Sequence, residues 1–228
     1  MSKTRGPQAV LFDMDGTLID SEPFWAEGEL AVFGELGVTI DPELAKTTAG
    51  MTTEAVTDFW YQRQPWEGVS PGEVGERVIR YVGEKIKAEG KPIPGTHATL
   101  EFFRQQRLPI GLATNSPGWL IPLVLERLEI TQYFQTLVSV DDVEFGKPNP
   151  AIYRLAASRL GVPPEKCLVF EDSATGLRAG HEASMKTIGI IPETEWELEK
   201  FKIADLKITN LEEFDKSLWE QILTLFPT

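Results

Sequence analysis

Short apolar segments recur along the chain and alternate with stretches of helical periodicity. QAVLFDM, LPIGLATN, TLVSV, CLVFED and KTIGII read as buried strands, with DLKIT a weaker sixth. Helical patterns fall between them near 96–106, 117–128, 150–160 and 175–182. Strands that are apolar throughout need cover on both faces, and helices between them supply both the cover and the crossovers of parallel pairing. The alternation therefore predicts an α/β fold, a Rossmann-like doubly wound parallel sheet. In such sheets ligands bind beyond the carboxyl ends of the strands. Four polar motifs fall at those ends: DMDGT after the first strand, TNS after the second, GKPNP after the third and EDS after the fourth.

One interval breaks the alternation. Residues 21–88 read as helical throughout, with breaks at GVTIDPE, AGMTTE and RQPWEGVSPGE. That is too long for one crossover. The economical reading is an α/β core of residues 1–20 and 91–228, with an all-helical domain of residues 21–90 inserted after the first strand. Hinges are expected near Asp20 and in the Pro/Gly-rich GKPIPG of residues 90–95. Residues 210–226 are expected to form a helix closing the core.

Bulk properties narrow the partners. The 228 residues carry a net charge of -13, which weighs against nucleic acid and anionic membrane surfaces, both of which need a basic face. An anionic ligand needs a local cation or bare backbone N–H groups. The single cysteine, Cys167, excludes an internal disulfide and suggests a reducing compartment. The N-terminal apolar run is too short for a signal peptide, and no stretch approaches the roughly 20 apolar residues of a spanning helix. A soluble, cytoplasmic protein is expected.

The strand-end motifs carry the chemistry. Asp13 and Asp15 sit one residue apart at the end of VLF. Such a pair can bind a divalent cation, divide into nucleophile and acid/base, or sit in a solvated turn. Thr114, Asn115 and Ser116 can hydrogen-bond phosphate oxygens, or Ser116 can cap the helix that Pro117 opens. Lys147, flanked by Gly and Pro, suits a fixed cation aimed inward. Glu171 and Asp172 end the fourth strand, where Asp172 can ligate a metal or share helix capping with Ser173. GVSPG (residues 68–72) matches a hydrolase G-x-S-x-G pattern but follows no strand, and Ser70, Pro71 and Glu73 spell a capping box instead. His97 and His181 lack metal-ligand partners, and Cys167 reads as a core thiol.

DMDGTLIDSEP, LATNS, GKPNP and FEDS, in this order, resemble the haloacid dehalogenase superfamily of phosphotransferases, and within it the β-phosphoglucomutase-like branch with a helical cap. IDSEPFWAEGEL and DFWYQRQPW are similar to the small phosphatases acting on hexitol phosphates and 2-deoxyglucose 6-phosphate. The resemblance implies Asp13 as nucleophile, forming an aspartyl-phosphate, and Asp15 as general acid/base. It implies Thr114, with Asn115 beside it, and Lys147 as phosphate-binding residues, and Mg²⁺ held by Asp13, the Asp15 carbonyl and Asp172, with Glu171 as support. Dehalogenases lack the second acid, so Asp15 points to phosphoryl transfer. The mutases carry a histidine where this chain has Trp25, which lets water finish the reaction. The implied activity is hydrolysis of small sugar or sugar-alcohol phosphates. A β-phosphoglucomutase, a phosphoglycolate phosphatase and a non-catalytic phospholigand-binding protein are the alternatives. Expected cap contacts are Glu22, Trp25, Glu29, Met51, Trp60 and Arg63, in a monomer acting on a small phosphorylated metabolite.

Overall fold

The computed structural model describes residues 6–226. Six parallel strands form one sheet in the order β3-β2-β1-β4-β5-β6. They are β1 (Ala9–Phe12), β2 (Ile110–Ala113), β3 (Phe134–Val138), β4 (Cys167–Glu171), β5 (Lys186–Ile190) and β6 (Leu206–Ile208). The chain winds outward from β1 to β3, then returns to pair β4 with the other side of β1. The strand order thus reverses beside β1, and there the crevice for a ligand opens.

Successive side chains on a strand point to opposite faces, and the two faces have different cores. Val10, Phe12, Leu168 and Phe170 face α5 (Thr96–Gln105), α6 (Leu120–Arg127) and α9 (Lys216–Thr224). Ala9, Leu11, Cys167 and Val169 face α7 (Ala151–Leu160) and α8 (Ala174–Glu182). On the first face Phe12 and Phe170, partners in register, stack with ring centroids 4.8 Å apart. Phe103 packs edge-on or tilted against both, and also reaches Phe214 and Trp219.

Between β1 and β2 lie α1 (Glu22–Glu35), α2 (Pro42–Ala45), α3 (Thr53–Arg63) and α4 (Pro71–Glu89). The breaks between them fall at the Gly- and Pro-containing segments of the sequence. Ser70 starts α4 with a full capping box: the Glu73 N–H donates to Ser70 Oγ, and the Ser70 N–H to Glu73 Oε2 at 3.0 Å. The helices pack on one another and on α6, so Trp60, Val78 and Val82 share one continuous apolar cluster with Val10 and Phe12 of the sheet. The segments leading into and out of this helical layer run side by side. The Asp20 N–H donates to the Lys91 carbonyl and the Ile93 N–H to the Leu18 carbonyl, both at 3.0 Å.

Two expected helices differ in extent. The helix expected from 117 begins at Leu120, because the Ser116 hydroxyl is turned elsewhere (below) and Pro117–Trp119 form a turn. The expected helix 210–226 divides into a 3-10 turn at Leu211–Glu213 and α9, where Asp215 supplies a fresh N-cap to the Leu218 N–H. Among the described residues no helix is long and apolar enough to cross a membrane.

The aromatic cluster generates a stability prediction. Replacing Phe103 by Ala should cost about 3–5 kcal/mol, because five neighbouring rings cannot collapse into the space. Denaturant unfolding of the variant would show it as a lower midpoint at unchanged slope.

Candidate active site

Strand alternation alone brings the first two groups together. Asp13 continues the Leu11 side of β1, and Glu171 continues the Val169 side of β4, so both carboxylates face α7 at the carboxyl edge of the sheet. Between them enters Lys147, from the loop after β3. Its ammonium is buried, hydrogen-bonded to Asp13 Oδ1 and 2.5 Å from Glu171 Oε1. Tyr153, fully buried on α7, donates its hydroxyl to the same Glu171 oxygen at 2.8 Å. Ser173 donates both its N–H (3.1 Å) and its hydroxyl (3.0 Å) to Glu171 Oε2. Four donors occupy the four lone-pair positions of Glu171. Glu171 thus lies inside the acidic cluster, but its bonds are spent on fixing Lys147. A Cβ at Gly176 would overlap its carboxylate, so α8 can start this close only with glycine there. Tyr153 was not singled out from sequence: a tyrosine at a helical core position carries no signal of the carboxylate it will meet.

Asp172 stands beside this group. Its Oδ1 accepts from Thr17 Oγ1 at 3.3 Å. Gly16, with φ +73, lets the β1 loop pass against the Asp172 carboxylate where any side chain would collide. Carboxylate oxygens of Asp13, Glu171 and Asp172 lie within 4.8 Å of one another. Two buried acids thus share one ammonium, with the half-buried Asp172 beside them. Burial would lower the proton affinity of Lys147, but Asp13 and Glu171 outweigh it and hold the lysine charged. Burial, reinforced by the neighbouring carboxylates, pushes both Asp13 and Asp172 well above the ordinary range despite Lys147. The excess negative charge and the hard oxygen donors suit a divalent cation. Asp13 and Asp172 are the acids with lone pairs left to hold it.

Asp15 lies one step further along the loop. Its Oδ1 accepts from Ser21 Oγ at 2.6 Å and from the indole N–H of Trp25 at 3.0 Å, and its Oδ2 accepts from Ser116 Oγ at 2.7 Å. Trp25 therefore touches Asp15, a contact that side-chain chemistry at helical spacing does not announce. The Ser116 N–H donates to Thr114 Oγ1 at 3.0 Å, which leaves the Thr114 hydroxyl hydrogen to be given away. The Asn115 carboxamide, expected on phosphate, is committed to backbone. It accepts the Lys147 N–H at 2.7 Å and donates to the carbonyls of Lys147 and Gly50 at 3.1 and 2.9 Å. Gly50, in the helical layer, also accepts from Thr175 Oγ1 at 3.0 Å. Asn115 thus ties the lysine loop to that layer, and only its main-chain N–H remains for an anion.

These groups open into a cavity of about 1230 Å³ between the sheet edge and the helical layer. Glu22, Trp25 and Glu29 line it from one stripe of α1, and Met51 lines it from the loop before α3. Two expected contacts do not reach it. Trp60 is fully buried inside the helical layer, packed edge-on to Phe59. Arg63 lies over the Phe59 ring, 3.4 Å from its centroid, and donates to the Phe59 carbonyl. Arg63 thus finds its partners on its own helix, whereas Trp60 is held by apolar packing and its indole N–H has no hydrogen-bond partner among the described residues. Neither histidine lines the cavity: His97 Nε2 bonds the Leu128 carbonyl at 2.8 Å, and His181 is exposed.

Burial in the cavity wall pushes Glu22 up to about 7, with Asp15 and Asp20 adding repulsion, and pushes Glu29 up to about 7, with Glu22 adding. A carboxyl raised on folding binds protons more tightly in the native state, so the native state loses stability as pH rises from the ordinary carboxylate range through 7. Glu29→Gln removes that loss. Its melting temperature relative to the parent should rise between about pH 5 and about pH 8 in thermal scans; a constant difference would refute the assignment.

Comparisons with known proteins identify the family. A family model described as haloacid dehalogenase-like hydrolase matches residues 7–184. Hexitol phosphatase B of Escherichia coli (strain K12) is 38% identical over 216 residues, covering 93% of this chain and 96% of that protein. A protein named phosphorylated carbohydrates phosphatase, from Thermotoga maritima, is 34% identical over 185 residues, covering 79% of this chain and 83% of that one. The solved structure of β-phosphoglucomutase from Clostridium difficile shares the fold, with a TM-score of 0.83 over 96% of this chain and 97% of that chain at 20% identity. With its motifs gathered at one crevice and a family match over most of its length, the chain belongs to the haloacid dehalogenase-like hydrolases.

Proposed function

We propose that the protein is a Mg²⁺-dependent phosphatase of small sugar or sugar-alcohol phosphates, working through an aspartyl-phosphate on Asp13. One observation carries the reading: the buried Asp13 carboxylate, paired with Lys147 and flanked by Asp172, faces a large cavity beside the hydrogen-bonded Asp15. The similarity to hexitol phosphatase B and to the phosphorylated carbohydrates phosphatase supports the substrate class. Residues 21–90 act as a cap domain on the core of residues 1–20 and 91–228. Their contact through Gly50 borders one side of the cavity, and closure of such a layer over a ligand excludes bulk water.

The chain's residues divide the work. Lys147 neutralises charge on Asp13 and on the phosphoryl oxygens, while the Thr114 hydroxyl and the Asn115 main-chain N–H donate to those oxygens. Asp13 forms a bond to phosphorus as the bond from phosphorus to the alcohol oxygen breaks. The electron pair stays on that oxygen, which takes a proton from Asp15. Water then attacks the phosphorus and gives its proton back to Asp15, restoring the Asp13 carboxylate and freeing phosphate. Asp13, the Asp15 carbonyl and Asp172 would hold Mg²⁺. When bound, the cation supplies the positive charge that keeps Asp13 ionised and offsets charge on the phosphoryl group. With neither histidine in the cavity, water is the second acceptor, which favours hydrolysis over mutase chemistry.

The test is phosphate release from hexitol, hexose and glycolate phosphates, with Mg²⁺ and with EDTA. Release should require the metal and favour the six-carbon substrates, and Asp13→Asn should lower it roughly 10³-fold or more. An absence of release from every substrate would overturn the reading. Mg²⁺ should also raise the melting temperature of the parent, by the equivalent of about 2.7 kcal/mol at a hundredfold excess over its Kd. Asp172→Asn should lose most of that rise in calorimetry.

A further inference from the structure

Asp15 is held at both oxygens, and the donors differ in kind. Oδ1 receives the Trp25 indole N–H at 3.0 Å and the Ser21 hydroxyl at 2.6 Å. Among the described residues Oδ2 receives only the Ser116 hydroxyl, at 2.7 Å. An indole N–H donates and never accepts, whereas a hydroxyl can do either. A proton on Oδ1 would therefore meet a donor that cannot turn away. Oδ2 keeps one lone-pair position with no donor among the described residues, and a proton there can be handed on while Ser116 goes on donating. Ser21 and Ser116 are buried, so their hydroxyls are held in place, and both Trp25 and Ser116 line the cavity where substrate binds.

We infer that Trp25 is a positioning residue for Asp15, fixing Oδ1 as an acceptor so that Oδ2 is the oxygen that hands a proton to the leaving alcohol. The inference rests on the acid/base role proposed above for Asp15. In the step concerned, the bond from Asp13 to phosphorus forms and the bond from phosphorus to the alcohol oxygen breaks. That oxygen keeps the electron pair and takes the proton from Oδ2, leaving Asp15 as a carboxylate with the same three donors. Trp25 belongs to α1 and Ser116 to the loop after β2, so the inserted helices share in orienting an acid that the sheet carries. An aromatic at this position thereby has a task other than stacking on a sugar.

The experiment compares leaving groups. Release of alcohol from a hexitol phosphate needs a proton, whereas p-nitrophenolate leaves as a stable anion. Single-turnover release of each, at saturating substrate with Mg²⁺, is measured for the parent, for Trp25→Phe and for Ser21→Ala, which removes the other donor to Oδ1. Both variants should slow hexitol release about tenfold more than p-nitrophenolate release, a fraction of what general acid catalysis supplies. Equal slowing of the two leaving groups, or no slowing, in a parent that turns over both would overturn the role of Trp25 and leave the phosphatase reading standing. A parent that releases neither would overturn both. If Trp25→Phe melts early, Ser21→Ala decides the question by the same ratio.

Discussion

A single ammonium holds the crevice together. Lys147 lies between Asp13 and Glu171 at the carboxyl edge of the sheet, almost wholly buried at the floor of the cavity, and the groups around it keep it there. Tyr153 and Ser173 fill the Glu171 positions that Lys147 leaves, and Asn115 bonds both the main-chain N–H and the carbonyl of Lys147. A buried pair of this kind is costly to desolvate and is poor evidence of stability. Here the cluster contains more negative than positive charge, so the fold carries an electrostatic deficit that it does not resolve from its own side chains. The native sheet, with its apolar faces on both sides, holds the acids in place against their mutual repulsion.

Much of this was legible in the sequence, because strand ends are legible. Once VLF and CLVF are read as adjacent buried strands, two-residue alternation and parallel pairing bring Asp13 and Glu171 onto one face. The inserted helices were legible from their Gly and Pro breaks, and Ser70 with Glu73 marked a helix start that a motif search would have taken for a nucleophile. What escaped was the choice among partners. Nothing in the pattern says that Glu171 spends its oxygens on a lysine and a tyrosine. Nor does it say that the Asn115 carboxamide binds backbone, or that Trp25 reaches an aspartate ten residues back across a turn. Trp60 and Arg63 show the converse: both lie in the helical layer near other candidates, yet local packing claimed them. Side-chain direction within a helix layer depends on neighbours far away in sequence, and a periodicity argument has no access to those.

The helical layer contributes differently to the two ends of the cavity. Near the sheet, Trp25 and Gly50 meet core groups with directional bonds. Further out, Glu22 and Glu29 present carboxyl groups that have no basic partner among the described residues and that desolvation in the cavity wall pushes up to about 7. Groups in that state can accept or donate a hydrogen bond, a versatility suited to hydroxyl-rich ligands whose own hydroxyls do the same. The charged end and the adaptable end are thus built by different parts of the chain.

The paired backbone at 18–20 and 91–93 has a topological consequence. The chain leaves the sheet and re-enters it at one place, through two segments bonded to each other. For the strands on either side, the excursion of some seventy residues is therefore equivalent to a tight loop, since the ends of the detour are already joined. Loop length enters the free energy of closure only logarithmically, and a closed detour does not shift the register of β1 against β2. Changes of length or composition inside the excursion are insulated from the sheet that holds the acids. The helical wall of the cavity can then diversify through insertion, deletion or wholesale replacement while the crevice beneath it keeps its geometry.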